Sequence, residues 1–397
     1  MANNNENKIL NVPNLRFPEF CGEWETIKVS ELLDFYSTNS LSWEQLDYSN
    51  GKIKNLHYGL IHKGVPTMVD VACDSLPYIK EESMLKSFTL FKEGDVAFAD
   101  ASEDTNDVAK AIEVVNCDNQ QIVSGLHTIH GRDNSNRTVI GYKGYAFASD
   151  SFHKQIRRIA QGTKVFSISV RNFDEAYIGI PSKEEQTQIA KLLITIDKRI
   201  ATQNKIIEDL KKLKSAIYQE LFSNQQGEEY SLSELVEIIK GQQINGNELS
   251  ENGKYYVMNG GIMPSGYYDD YNTEAGTISI SEGGNSCGYV QYNSSKFWSG
   301  GHCYTLHIKP AAPISTLFLF HFLKWKETDI MTLRIGSGLP NIQKKDLSKV
   351  SIIVPTLDKQ QRIMTLLSTF QMKIEHEDMY AINLNKQKQY LLSQMFI

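Results

Sequence analysis

Pro181-Ser182-Lys183-Glu184-Glu185-Gln186-Thr187-Gln188-Ile189 returns 174 positions later (355 − 181) as Pro355-Thr356-Leu357-Asp358-Lys359-Gln360-Gln361-Arg362-Ile363. The offset holds without a gap to Phe222 and Phe396. In each copy a Pro blocks backward extension, Ser182 or Thr356 stands as N-cap before an acidic first turn, and no Pro or Gly follows. This pattern predicts two long helices, 183–222 and 357–396, each spanning about 60 Å. Ile189, Leu193, Ile196, Ile200, Gln203, Ile207 and Leu210 alternate steps of four and three, and Ile363, Leu367, Phe370, Ile374, Glu377, Ala381 and Leu384 repeat them. That is a coiled-coil seam, so the helices are expected to pair with each other. Gln203 and Glu377 share one seam position, either fixing register or simply solvated. Beyond Leu210 the rhythm loosens to Leu213, Ile217 and Leu221, with Leu391 and Met395 as counterparts. A wider stripe calls for another surface, either a domain of this protein or a partner.

Working outward, the duplication covers the whole chain. Gly162 pairs with Gly338, Arg158 with Arg334, and Ser124-Gly125-Leu126-His127 with Ser299-Gly300-Gly301-His302. Glu93-Gly94-Asp95 pairs more loosely with Ala275-Gly276-Thr277, and Ser30-Glu31-Leu32-Leu33 with Ser233-Glu234-Leu235-Val236. Each half therefore reads as short helix, variable β-rich region, Gly strand, Ser-Gly-x-His strand, Gly turn, Pro, long helix. Trp24 to Pro181 covers 157 positions and Tyr230 to Pro355 covers 125, and most of the difference falls before Gly94 and Gly276. A repeated scaffold with one variable region suits two copies of a module reading two different targets.

The 397 residues suffice for two ordinary domains, and 41% apolar with 22% charged residues argues against wholesale disorder. No window approaches 18 consecutive apolar residues, so no membrane span is expected. The polar, Asn-rich start has no apolar signal region, which predicts a flexible N-terminus and a cytoplasmic protein. Five scattered cysteines without Cys-x-x-Cys suit free thiols in a reducing compartment.

Intrinsic chemistry is hard to place. There is no phosphate loop, no Gly-x-Gly-x-x-Gly between strand and helix, and no Asn/Asp-Pro-Pro-aromatic motif of an adenine methyltransferase. Glu282-Gly283-Gly284-Asn285-Ser286-Cys287-Gly288 lies in β-type sequence and reads as a turn or bulge. His127, His130 and Cys117 make half a metal site without a fourth ligand, so no metal is expected. Neither Ser124 with His127 nor Ser299 with His302 has an acid orienter in the sequence, so no catalytic residue is assigned.

The net charge of −6 at first opposes nucleic-acid binding, but it averages unlike blocks. Glu93, Asp95, Asp100, Glu103, Asp104, Asp107, Glu113 and Asp118 form an acidic one. Arg132, Arg137, Lys143, Lys154, Arg157, Arg158, Lys164 and Arg171 follow against only Asp133 and Asp150. With screening over about 8 Å, local charge decides phosphate contact. The second half is richer in amides and tyrosines, and Asn and Gln read adenine edges while Tyr bonds phosphates. The candidate DNA contacts are Lys54, Tyr58, His127, Arg132, Arg137, Lys143, Arg157 and Arg158 in the first half. In the second they are Gln242, Asn259, Tyr267, Asn285, His302, Tyr304 and Arg334.

With these residues in view, the chain resembles the specificity (S) subunit of a type I restriction–modification system. The resemblance rests on Leu15-Arg16-Phe17-Pro18-Glu19-Phe20 with Gly22-Glu23-Trp24-Glu25, and on Gly336-Ser337-Gly338-Leu339-Pro340-Asn341-Ile342. It rests also on the two Pro-x-x-acidic-x-Gln helix starts. The chain departs where Gly162-Thr163-Lys164-Val165 lacks the Pro of a Gly-x-x-x-Pro form, and where a single Pro stands for the family's frequent two. The resemblance implies an α+β chain: two globular α/β target-recognition domains in tandem pseudo-repeat, separated by two long helices forming an antiparallel coiled coil. The expected boundaries are 1–14 flexible, 15–180 domain 1, 181–222 spacer helix 1, 223–227 linker, 228–354 domain 2 and 355–397 spacer helix 2.

It further implies that each domain reads half of a bipartite double-stranded DNA target across a gap set by the helices. Two copies of a modification subunit, which bind S-adenosylmethionine and methylate adenine N6, and restriction subunits are the implied partners; no cofactor is expected in this chain. The helices, including Ile217, Leu221 and Leu391, are the expected partner surface. A coiled-coil scaffold carrying two β-rich protein- or carbohydrate-binding modules is the alternative.

Overall fold

The computed structural model describes residues 11–85, 87–336, 338 and 340–397. Residues 1–10 of the expected flexible N-terminus, and Ser337 and Leu339 of the Gly336 motif, lie outside the described residues. The chain forms two compact units: the first runs to Asn204 and takes in Met379–Ile397, and the second is Lys205–Asp378.

The strands of the first unit used below are β1 (Glu25–Lys28), β2 (Asp34–Tyr36), β3 (Met68–Asp70), β4 (Val96–Ala99), β5 (Ala111–Asn116), β6 (Thr128–Arg132) and β7 (Tyr177–Ile180). Five form one sheet in the order β2-β6-β4-β5-β3, with β1 and β7 paired separately. Val96-Ala97-Phe98-Ala99 is buried on both faces, as a central strand must be. A second sheet is built on the parallel pair Ile53–Leu56 and Gln121–Ser124.

The second unit has β8 (Glu228–Ser231), β9 (Val236–Lys240), β10 (Thr277–Ser281), β11 (Val290–Asn293), β12 (Cys303–Ile308) and β13 (Ser351–Val354). Its main sheet runs β9-β12-β10-β11, β8 pairs with β13, and Tyr255–Met258 lies parallel to Trp298–Ser299. Strand for strand this main sheet is that of the first unit without β3, which lies in the extra length before Gly94. After β6 and β12 the chain enters helices Asp150–Ile159 and Thr316–Trp325, where Ser149 and Ser315 cap by accepting from Phe152 N and Phe318 N, each at 3.3 Å.

The long helices are Lys183–Ser223 and Leu357–Gln394. Ser182 Oγ accepts from Glu185 N at 3.3 Å, as an N-cap does. The backbone carbonyls of Ser182 and Thr356 accept from Gln186 N and Gln360 N, each at 2.9 Å. Ile189, Leu193, Ile207, Ile363, Leu367, Ile374, Ala381 and Leu384 are buried, and Ile196, Ile200, Leu210 and Phe370 half-buried, so the seam faces inward. Gln203 is 5% exposed and so belongs to the buried seam, not to a solvated gap in it. The helices run antiparallel. In the first unit Lys388 Nζ meets Asp197 at 2.6 Å, and in the second Lys214 Nζ donates to Gln371 Oε1 at 2.6 Å. Lys214 and Lys388 are repeat counterparts, as are Asp197 and Gln371, so the duplication extends to the cross-helix contacts.

The wide stripes are covered in part within the protein, while Leu213 stays 47% exposed. Ile217 and Leu221 pack with Phe222 against the second unit's core, and Leu391 packs with Leu392, Met395 and Phe396 against the first unit's core. Each module thus holds the start of its own helix and the end of the other. Phe222 is 1% exposed, with the rings of Phe318, Phe322 and Trp325 centred 5.7–5.8 Å away. Phe222→Ala is expected to cost about 3–5 kcal/mol in denaturant unfolding of the intact chain. A loss below about 1 kcal/mol would mean that this helix end is not part of the core.

The repeated Gln of the helix starts is a staple. Gln186 Nε2 donates to Pro181 O and Arg137 O, and its Oε1 accepts from Val139 N at 2.9 Å. Gln360 Nε2 donates to Pro355 O and Pro313 O, and its Oε1 accepts from Ser315 N at 2.8 Å. Both are buried, so Gln→Leu at either position strands backbone groups away from water. Each change should cost about 1–3 kcal/mol. Equal unfolding midpoints for wild type and variants would refute the staple.

Candidate nucleic-acid interface

In each unit the Ser-Gly-x-His segment crosses the end of the parallel strand pair. Gly125 N donates to Leu56 O at 2.9 Å, and Gly300 N to Met258 O at 2.8 Å. A Cβ at Gly125 would lie 2.2 Å from Asn55 Oδ1, and one at Gly300 2.6 Å from Asn259 Oδ1, so both turns demand glycine. The turns deliver His127 and His302 to the residue just before β6 and β12. Opposite them, just after β4 and β10, stand Asp100 and Glu282.

Antiparallel pairing sets these residues face to face. Asp100 N donates to His127 O at 3.1 Å, and Glu282 N to His302 O at 2.9 Å. The carbonyls of Asp100 and Glu282 accept from Ile168 N (2.9 Å) and Ile342 N (2.8 Å), which are again 174 positions apart. His127 Nδ1 lies 3.1 Å from Asp100 Oδ1 with its ring edge-on to Tyr58 at 5.3 Å. His302 Nδ1 lies 3.9 Å from Glu282 Oε2, an ion-pair separation. Burial pushes the Asp100 carboxyl above the ordinary range, against the opposing pull of His127. The imidazoles are outward, their side chains 51% and 62% exposed.

The surroundings differ. His127 borders a cleft of about 550 Å³ with Tyr58, His62, Ala101, Glu103 and Asp107. Beside His302, Asn259 Oδ1 accepts from His302 N, and Lys240 Nζ pairs with Glu282 Oε1 at 2.6 Å. The Gly283 loop bridges to Asn341, and Gly284 N donates to Pro340 O, bringing those two residues to the same place. Gly284 and Gly288 have φ of +78° and +93°, so this glycine-rich run is a turn. Asn285, Gln242, Tyr267 and Arg334 are exposed.

Several expected DNA contacts are occupied elsewhere. Lys143 is buried, its Nζ donating to Thr138 Oγ1 and lying 3.4 Å from Glu113. Arg132 grips Asp95 through Nε and Nη2 and also donates to Leu90 O, over the Tyr36 ring. Burial alone would raise the Asp95 carboxyl, but Arg132 and His130 outweigh it and hold it low. Tyr304 is 4% exposed, donating to Glu282 and Ile342 O. Lys54 lies in a wholly buried strand, 5.4 Å from the Tyr78 ring. These four are corrected to structural roles, because Lys54, Lys143 and Tyr304 are buried and the guanidinium of Arg132 is taken up by Asp95 and Leu90 O. Arg137 pairs with Glu25, and Arg157 with Asp150 and Asn106, while Arg158 is exposed. Of the basic block, Arg132, Arg137 and Lys143 are thus paired with acids distant in sequence, and Lys154 and Arg157 with the nearby Asp150. His130 is buried against Asp95 and Phe91, and among the described residues no group of three or more His, Cys, Asp or Glu is placed to hold a metal. No described helix is long and apolar enough to cross a membrane.

Asp100 and Glu282 were not among the expected contacts. The signal was present, since each lies six residues after an aligned glycine, Gly94 or Gly276.

The family of the type I restriction modification DNA specificity domain matches the chain twice, over residues 22–212 and 224–384. The chain belongs to that family. A Mycoplasma pneumoniae protein named as a type I specificity subunit is 34% identical over 162 residues, covering 40% of this chain and 43% of that protein. A Methanocaldococcus jannaschii protein, named as a type I restriction enzyme specificity subunit, is 24% identical over 350 residues, 79% of this chain and 80% of its own. The match thus spans less than half of the M. pneumoniae relative.

Among solved structures, the S subunit of a type I system from M. genitalium has TM-score 0.57 at 19% identity, covering 97% of this chain and 99% of that one. A chain from a structure on complex assembly and conformational transition of the type I R-M system has TM-score 0.63 at 15% identity, covering 93% and 96%. These likenesses concern the fold. The specificity-domain signature also gains a physical reading. Arg16 makes a bidentate bond to Glu185 at 2.7 Å, and Trp24 Nε1 donates to the same carboxylate at 3.3 Å, which ties the N-terminal motif to the first helix start.

Proposed function

We propose that this chain is the DNA-specificity subunit of a type I restriction–modification assembly. Each specificity domain reads one half of a bipartite duplex target, and the helix pair sets the gap between halves. Two copies of a methyltransferase subunit, carrying S-adenosylmethionine, and restriction subunits assemble on it in the cytoplasm, and the chain contributes no catalytic group of its own. The observation that carries this reading is the duplication of one polar, outward site on one repeated scaffold, in a chain whose family match also falls twice. Two linked readers convert the second contact into an intramolecular one, so two modest affinities become one specific site. A pseudo-repeated scaffold also presents equivalent surfaces to two copies of a partner.

Expressing the methyltransferase subunit in a host with and without this chain tests the reading. Adenine methylation of genomic DNA should require the chain. Equal methylation in its absence would contradict it.

A further inference from the structure

We infer that the His–carboxylate pairs, His127 with Asp100 and His302 with Glu282, are the base-reading contact common to both modules, the carboxylate positioning an imidazole whose Nε2 bonds a base edge. The inference rests on the DNA-reading function proposed above and names the atoms that carry it.

Strand lengths, loops and surface residues differ between the modules, yet the same cross-strand station holds a His facing an acid in both. Its two backbone hydrogen bonds and its glycine turn are kept with it. Fold stability alone would not keep an imidazole here, because both rings are mostly outside the core. A carboxylate on Nδ1 fixes the tautomer and the ring orientation, leaving Nε2 as the outward atom. In the first module that bond is made. In the second, Glu282 Oε2 is buried without a hydrogen-bond partner and lies 3.9 Å from His302 Nδ1, so a small ring movement completes it.

Local charge chooses the ligand. Asp100 on the ring, with Glu103, Asp104 and Asp107 against Lys63 in the cleft, disfavours a phosphate but suits exocyclic amino groups, which seek acceptors such as Nε2. What differs around each pair, Tyr58 and His62 in one and Lys240, Asn259 and Asn285 in the other, then gives each half-site its own sequence.

The test uses the complete system in a host, with methylation of genomic DNA as the readout and thermal unfolding as a folding control. His127→Ala should leave unfolding unchanged and lower discrimination about tenfold at one base position, in one half of the motif. His302→Ala should do the same in the other half. Asp100→Asn, whose Oδ1 still accepts from Nδ1, should retain discrimination that Asp100→Leu loses. A uniform fall in methylation with both halves unchanged would mark a phosphate contact and overturn the inference, as would no change at all. If the wild-type system itself gave no bipartite motif, the functional proposal would fail instead.

Discussion

Replacing residues 25–180 with the equivalent segment of a relative should rewrite one half of the methylated sequence and leave the other half and the gap intact. The segment runs from the start of β1 to the end of β7, the strand pair that closes the first module. Its core also takes in Ile189, Leu193, Leu392, Met395 and Phe396, so the transplant must keep those residues and meet a matching apolar face. Methylation at the original half-site should fall on the order of 10³-fold, the lower end of the difference between specific and non-specific binding. Sequencing methylated genomic DNA from the host reads both halves at once. A change in both would mean that the modules do not read independently.

The second large effect concerns the gap. Removing one heptad from each long helix, residues 199–205 and 380–386, keeps the seam in phase while shortening the pair by about 10 Å. At 3.4 Å per base pair, the preferred gap should contract by roughly three base pairs, with methylation at the original gap reduced on the order of 100-fold. Deleting from one helix alone would instead set Lys388 against the wrong turn from Asp197, or Lys214 against the wrong turn from Gln371. An unchanged gap in the double deletion would show that the helices do not set spacing.

These predictions draw on features that were unevenly legible in the sequence. The helices were plain because their apolar steps, their Pro starts and their freedom from Pro and Gly all agree, and agree twice. The repeated Gln was visible as a signature, but its work was not, since Val139 and Ser315 reach Gln186 and Gln360 only through the fold. Apolar periodicity says that Ile217, Leu221 and Leu391 are covered and is silent on what covers them, so their packing on the module cores was hidden. The partners of the basic block were hidden for a related reason. Arg132 and Lys143 are cations in the sequence, but Asp95, just before β4, and Glu113, on β5, claim them once the module folds. The acids of the His pairs went unseen because cross-strand register, not sequence distance, sets them opposite the imidazoles.

The central claim is that one chain carries two readers of one DNA target. Mapping methylated adenines across the genome of a host that carries the complete system tests it most directly. The account predicts a motif of two specified halves separated by unspecified bases of fixed number. A single contiguous motif, or methylation without sequence preference, would contradict it.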